Sequence, residues 1–166
     1  MRVSRALTMF ATVALIGVAC GDDVTGIPAG LEVFTATLNG ANERPDPTVT
    51  DATGTAVVTV MDTLLSWRVD VTNIQNVSIG HIHMAVPDSA GGVWLDLTPT
   101  PGDYPTTSTI ALGSIQGDTV LALAAIMRNG RAYVNIHTTD GVGGTDPVGP
   151  AGDYPGGEIR GQLRKQ

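Results

Sequence analysis

From Leu31 onward, apolar and polar positions alternate with a period of two. Leu31, Val33, Thr35 and Thr37 fall on one side of an extended segment, and Glu32, Phe34, Ala36 and Leu38 on the other, until Asn39-Gly40 ends it. A polar loop follows through Glu43, Pro45 and Pro47, because proline lacks the N–H a sheet ladder needs. Ala52 to Val60 resumes the strand signal, Met61-Asp62 turns, and Thr63 to Val71 returns as its partner. In that return Leu65, Trp67, Val69 and Val71 share a side, the pattern of a half-buried antiparallel strand with Trp67 as a core anchor. Val77 to Met84, Val93 to Leu97 and Thr106 to Leu112 read as further strands, with Pro99 to Pro105 a loop between the last two. Asp118 to Met127 is different. Its Ala/Leu-rich run, capped by Asp118 and stopped by Asn129-Gly130, predicts one short helix. Arg131 to His137 is again a strand, Thr138 to Gly156 a long Gly/Pro loop, and Gly157 to Arg164 the last strand.

Seven or eight short strands separated by turn residues predict an all-β fold. The expected form is an antiparallel β-sandwich or Greek-key arrangement, immunoglobulin-like or superoxide-dismutase-like, with one short helix. Gly102-Asp103-Tyr104-Pro105 recurs as Gly152-Asp153-Tyr154-Pro155, each downstream of an Ile-His pair. The spacings differ, so this is no solenoid repeat, and such loops would most simply cover sheet ends.

The first nineteen residues do not belong to this pattern. Arg2 and Arg5 precede an uncharged apolar run, Ala6 to Ala19, too short for a bilayer-spanning helix and built like a secretory signal peptide. Cys20, the only cysteine, follows Gly17-Val18-Ala19 in the manner of a bacterial lipobox, although Gly17 stands where leucine is usual. Cleavage after Ala19 to release a soluble secreted protein also fits. The anchor reading is favoured because a lone thiol in an oxidising compartment has no disulfide partner. The chain then divides into a signal peptide (1–19), a lipidated Cys20 with its tether (20–30) and a β domain (31–164). Seven of the nine basic residues and all sixteen acidic ones follow the leader, a formal charge of −9. That balance excludes nucleic-acid binding through a basic patch. The expected location is extracytoplasmic, at a cell-envelope membrane held through Cys20, and the partner is an envelope ligand or protein of unknown identity.

Every histidine lies on a predicted strand. Residues i and i+2 of a strand share a face, roughly 7 Å apart. His81 and His83 therefore point one way; Tyr133, Asn135 and His137 form a second stripe, and Glu158, Arg160 and Gln162 a third. If these strands are neighbours, the stripes merge. Three imidazoles could then hold Cu or Zn with a position left open, Glu158 acting as a fourth ligand or orienting a ring. The competing reading is a hydrogen-bonded network of Asn135, Glu158 and Arg160 with the histidines, an Arg160–Glu158 pair fixing strand register. Arg160 counts against a cation. An acid–base site is a third option. No nucleophile elbow or nucleotide motif is present. Asp96, Asp103 and Asp153 lack calcium-ligand spacing and read as solvated loop charges.

Taken together, Leu38-Asn39-Gly40-Ala41-Asn42-Glu43, Ala52-Thr53-Gly54-Thr55-Ala56, Gly80-His81-Ile82-His83, Gly130 to Thr138 and Gly156 to Leu163 resemble the CHRD domain. The likeness spans roughly Leu31 to Arg164. It departs at Arg44-Pro45-Asp46-Pro47, where Val-Pro-Pro is usual after the glutamate. The resemblance implies an extracytoplasmic sandwich-type β domain and implies no reaction. The His-x-His strand also resembles, at the level of fold alone, the copper-ligand strand of Cu/Zn superoxide dismutase. Two functions follow as expectations: a non-enzymatic, lipid-anchored binding or structural module, or a metalloprotein using His81, His83 and His137.

Overall fold

The computed structural model describes residues 30–139 and 153–166. The expected signal peptide, Cys20 and nearly all of the tether lie outside the described residues, as does most of the 138–156 loop. Among the described residues no helix is long and apolar enough to cross a membrane.

The described chain is all-β and sandwich-like, a curled antiparallel sheet with one short helix. Its strands are β1 (Leu31–Asn39), β2 (Thr53–Met61), β3 (Leu64–Thr72), β4 (Ile74–Met84) and β5 (Val93–Asp96). There follow β6 (Gly102–Tyr104), β7 (Ser108–Gln116), helix α1 (Thr119–Arg128), β8 (Ala132–Thr138), β9 (Ile159–Gln162) and β10 (Arg164–Lys165). The sheet runs β5-β4-β8-β9-β1-β2-β3-β7, with β10 added to β1 and β6 to β4. Period-two alternation decides which face is dry. Phe34, Ala36 and Leu38 of β1, Val58 and Val60 of β2, and Leu65, Trp67, Val69 and Val71 of β3 turn into one core. Ile82, Val134, Ile136 and Ile159 enter the same core from the β4-β8-β9 side. Trp67 links the two halves, its indole N–H donating to the Leu97 carbonyl at 3.2 Å. Burying that N–H without a partner would forfeit much of what the ring contributes.

Three expectations need correction. Pro99 to Pro105 is not purely loop, since Gly102–Tyr104 pairs with β4 at Ile74 and Val77. The last strand begins at Ile159 rather than Gly157 and is broken at Leu163 into β9, which lies between β8 and β1, and β10, which pairs with β1 alone. Asp118 stands at the N-cap of α1 but is itself helical (φ −64°, ψ −24°) and makes no capping bond. An N-cap side chain reaches the first-turn N–H groups from extended backbone. The helix is fixed instead by Val120, Leu123, Ala124 and Met127, a buried stripe at the i, i+3, i+4, i+7 spacing.

Candidate metal centre

β4, β8 and β9 lie side by side, so the three polar stripes become one surface. The register sets His83 against Tyr133 and Tyr133 against Gln162; one row on, His81 faces Asn135 and Asn135 faces Arg160. His137 follows, opposite Ile79. The reverse of this surface is the dry core, which is why odd and even positions of these strands differ so sharply in polarity.

Loops then cover the surface. Asn39 Oδ1 accepts the Asn42 N–H at 3.1 Å and closes a short 3-10 turn, Gly40–Asn42. The Asn42 amide donates to the Arg160 carbonyl at 3.0 Å and pins that turn beside β9. The 86–91 and 153–157 segments complete the cover. Beneath them His83 and His137 are buried, at 7 % and 6 % exposure, while His81 is half-buried.

The three imidazoles form a cluster. Each offers one ring nitrogen such that all three lie within 4.8 Å of one another. His83 Nδ1 lies 3.0 Å from the Gly91 carbonyl and His137 Nδ1 lies 2.9 Å from the Pro155 carbonyl. A carbonyl can only accept, so both Nδ1 atoms carry the proton and both Nε2 atoms present lone pairs. His83 Nε2 is buried with no partner. His137 Nε2 is 3.2 Å from His81 Nδ1, which, as the remaining donor, gives its proton to it. Nitrogens held at ~2.1 Å from one tetrahedral zinc sit ~3.4 Å apart, close to that spacing. Binding a metal would then require His81 to move its proton to Nε2 and His83 to approach.

Burial lowers the proton affinity of all three rings. His137 is pushed down to about 4, with the Pro155 carbonyl acting in the opposite sense. His83 and His81 are lowered by burial too, against the Gly91 carbonyl and the Asp96 charge respectively. The cluster is therefore neutral at neutral pH, the form in which imidazole ligates metal. Asn135, on the same face, donates its amide N–H groups to Glu43 and to the Gly156 carbonyl, both at 3.4 Å, and Gly157 (φ +124°) passes so close that a Cβ there would collide with the Asn135 amide.

Arg160 and Glu158 are not paired as their spacing along the strand suggests. Among the described residues no ion pair joins them. Glu158 is buried, accepts the Thr50 hydroxyl at 2.6 Å, and bonds the Thr138 side chain. Arg160 lays its guanidinium over the Tyr133 ring, 3.5 Å from the centroid, and donates to the carbonyls of Val86, Pro87 and Ser89. Tyr133 stacks on His83 as well, at 4.9 Å and 10°. Strand order thus places an aromatic ring between the guanidinium and that histidine, which reduces the objection to a cation. Asp153 is buried rather than solvated. Asp103 is used locally, accepting the Asn76 N–H at 2.8 Å.

One residue of this layer is not marked by the strand pattern. Glu43, 3 % exposed, accepts a long hydrogen bond from the Asn135 amide at 3.4 Å. Burial drives its carboxyl up to about 7, against the charge of Arg160 and the Asn135 bond. Nothing in periodicity singles it out, since it lies between a turn and two prolines. Its only signal is its place in the Asn-Gly-Ala-Asn-Glu motif.

The CHRD domain matches residues 34–145 of this sequence. The chain belongs to the CHRD domain family. Membership fits a binding or structural module, and the match includes His81, His83, His137 and Glu43 while ending before Arg160. No curated protein and no solved structure matches the chain.

Proposed function

We propose that this CHRD domain is an exported, lipid-anchored binding module whose ligand on the β4–β8 face is a copper or zinc ion held by His81, His83 and His137. The observation that carries the reading is the pair of backbone carbonyls on His83 and His137, which fix both Nε2 lone pairs beside His81. Ligand histidines are oriented this way by the bond their other nitrogen makes. Half-buried His81 leaves the cluster open on one side, so a further ligand from an envelope partner can reach the ion. Asn135, Arg160 and Glu158 support the surface and its loops.

Elemental analysis of protein purified without chelator, beside a His83→Ala/His137→Ala variant, tests the reading. We expect close to one equivalent of Cu or Zn on titration of wild type and none retained by the variant. Less than about a tenth of an equivalent in wild type would leave only the hydrogen-bonded network, which is the second reading. The His81–His137–Pro155 chain of hydrogen bonds favours that alternative.

The anchor rests on Arg2, Arg5, the Ala6–Ala19 run and Cys20. Labelled palmitate should enter the wild type and not Cys20→Ala. An unlabelled wild type would point to a soluble secreted protein.

A further inference from the structure

Beside the histidine face, on the β9 side, is a pocket of about 170 Å³ lined by Asn42, Arg44, Pro87, Arg160, Gln162 and Arg164. Three guanidinium groups and no carboxylate line it. That is unexpected in a chain of net charge −7. Among the described residues, Arg68 is neutralised at contact by Asp70 at 2.8 Å, and Arg128 and Lys165 by Glu32 at 2.8 and 2.7 Å, while Arg131, which has no ion pair, is exposed to water. In the pocket, Arg44 has only Asp88 at 3.7 Å, a side chain 89 % exposed. Arg160 is 1 % exposed, and its Nη1 is buried without a hydrogen-bond partner. Burial disfavours the charge of Arg160 and the positive charge of Arg44 adds to this, with Tyr133 and Asp88 acting in the opposite sense. Glu43 opposes it too, but a carboxyl pushed up to about 7 is only partly ionised there and is an incomplete counter-charge.

Like charges gathered with only an exposed or partly ionised counter-charge nearby, one of them buried, mark a place where an anion completes the structure. The volume narrows the choice. At roughly 30 Å³ per water, the space takes a tetrahedral oxyanion and a few waters. Charge narrows it further, because three guanidinium groups match a dianion better than a single carboxylate, and their planar forks suit paired oxygens.

We propose that the Arg44–Arg160–Arg164 pocket binds a phosphate dianion, either free phosphate or the phosphate group of a monoester. Arg160 forms the fixed wall, clamped over Tyr133 and to the 86–89 carbonyls. Arg44 and Arg164 close on the ligand from the rim. The site shares no ligand with the histidine cluster, so the two can be tested apart.

The experiment is calorimetric titration of the chelator-treated full chain with inorganic phosphate, phenyl phosphate and acetate at pH 7.5 and constant ionic strength. Saturable 1:1 binding of phosphate is expected, with phenyl phosphate binding as well if the natural ligand is a monoester and not otherwise. Arg44→Ala and Arg164→Ala should each weaken phosphate binding by about 10-fold or more, the usual loss for one charged hydrogen bond. Both side chains lie outside the apolar core, so unchanged melting of these variants without ligand verifies the fold. The double variant should not saturate, whereas His81→Ala, which touches neither Tyr133 nor the 86–91 segment, should bind phosphate like wild type. Acetate binding as tightly as phosphate, or a phosphate response unaltered in the double variant, would overturn the proposal.

Discussion

A carboxyl group almost cut off from water costs least in its protonated form, and Glu43 is in that position. Its value is raised from that of an ordinary glutamate to about 7. The folded protein therefore holds this proton more tightly than the unfolded chain does. The stability that accompanies it is complete below the ordinary glutamate value and is lost as the pH rises toward 7 and beyond. The loss amounts to about 3 kcal/mol at one pH unit per 1.36 kcal/mol. His137 works in the reverse direction. Its value falls to about 4, so its contribution is present above the ordinary histidine value and disappears as the pH drops toward 4. Because the two oppose each other between pH 4.5 and 6.5, the wild-type curve conceals both. Glu43→Gln isolates one. Urea unfolding of variant and wild type should agree to within about 1 kcal/mol at pH 4.5, and the variant should become progressively the more stable through pH 8. Parallel curves would mean that Glu43 is solvated.

The helix offers two terminal positions that the sequence treats alike and the backbone does not. Asp118 occupies the cap position without making the cap bond, so Asp118→Ala should change unfolding free energy by less than about 0.5 kcal/mol. Gly130 follows the helix at φ 64°, in the left-handed region, where a Cβ costs about 1–2 kcal/mol. A Cβ there would also meet Arg164 Nη1 at 2.9 Å, the end of a flexible side chain that can move away. Gly130→Ala should therefore cost about 1–2 kcal/mol. Equal effects at the two positions would contradict the described cap. The same contrast explains how far the residues alone specify the site. Strand phase follows from alternation, so spacing alone puts His81 with His83 and Asn135 with His137; that the two pairs share one face follows only from the pairing of β4 with β8. Arg160 is legible as a member of that face but not in its bonding. Along one strand its obvious partner is Glu158, two residues away, whereas the fold offers loop carbonyls more than seventy residues distant. Glu43 and Thr50 carry no periodicity because they sit in a turn-rich segment, and their burial depends on where β9 lands.

At the scale of the whole molecule the sheet carries two interiors. One is the apolar core inside its curl; the other is the polar layer that the 40–50, 86–91 and 153–157 segments cover. Among the described residues every buried side-chain polar atom without a partner belongs to that second layer or its rim: Glu43, His83, Asn135, Asp153, Glu158, Arg160 and Gln162. β4 and β8 serve both interiors at once, presenting histidines outward and Ile82, Val134 and Ile136 inward. A ligand on the histidines should therefore stabilise the global fold and not merely its loops. Metal at 100 times its dissociation constant adds about 2.7 kcal/mol if it binds only the folded state. For a domain of this size that raises the melting temperature by about 10 °C. Hydrogen exchange locates the effect. If β4 and β8, which are internal to the sheet, exchange through global opening, their amides should slow together with those of the covering loops. His83→Ala/His137→Ala should show neither change. If metal slows only the 86–91 and 153–157 amides while the melting temperature stays fixed, the loops open independently of the sheet and the two interiors are not one cooperative unit.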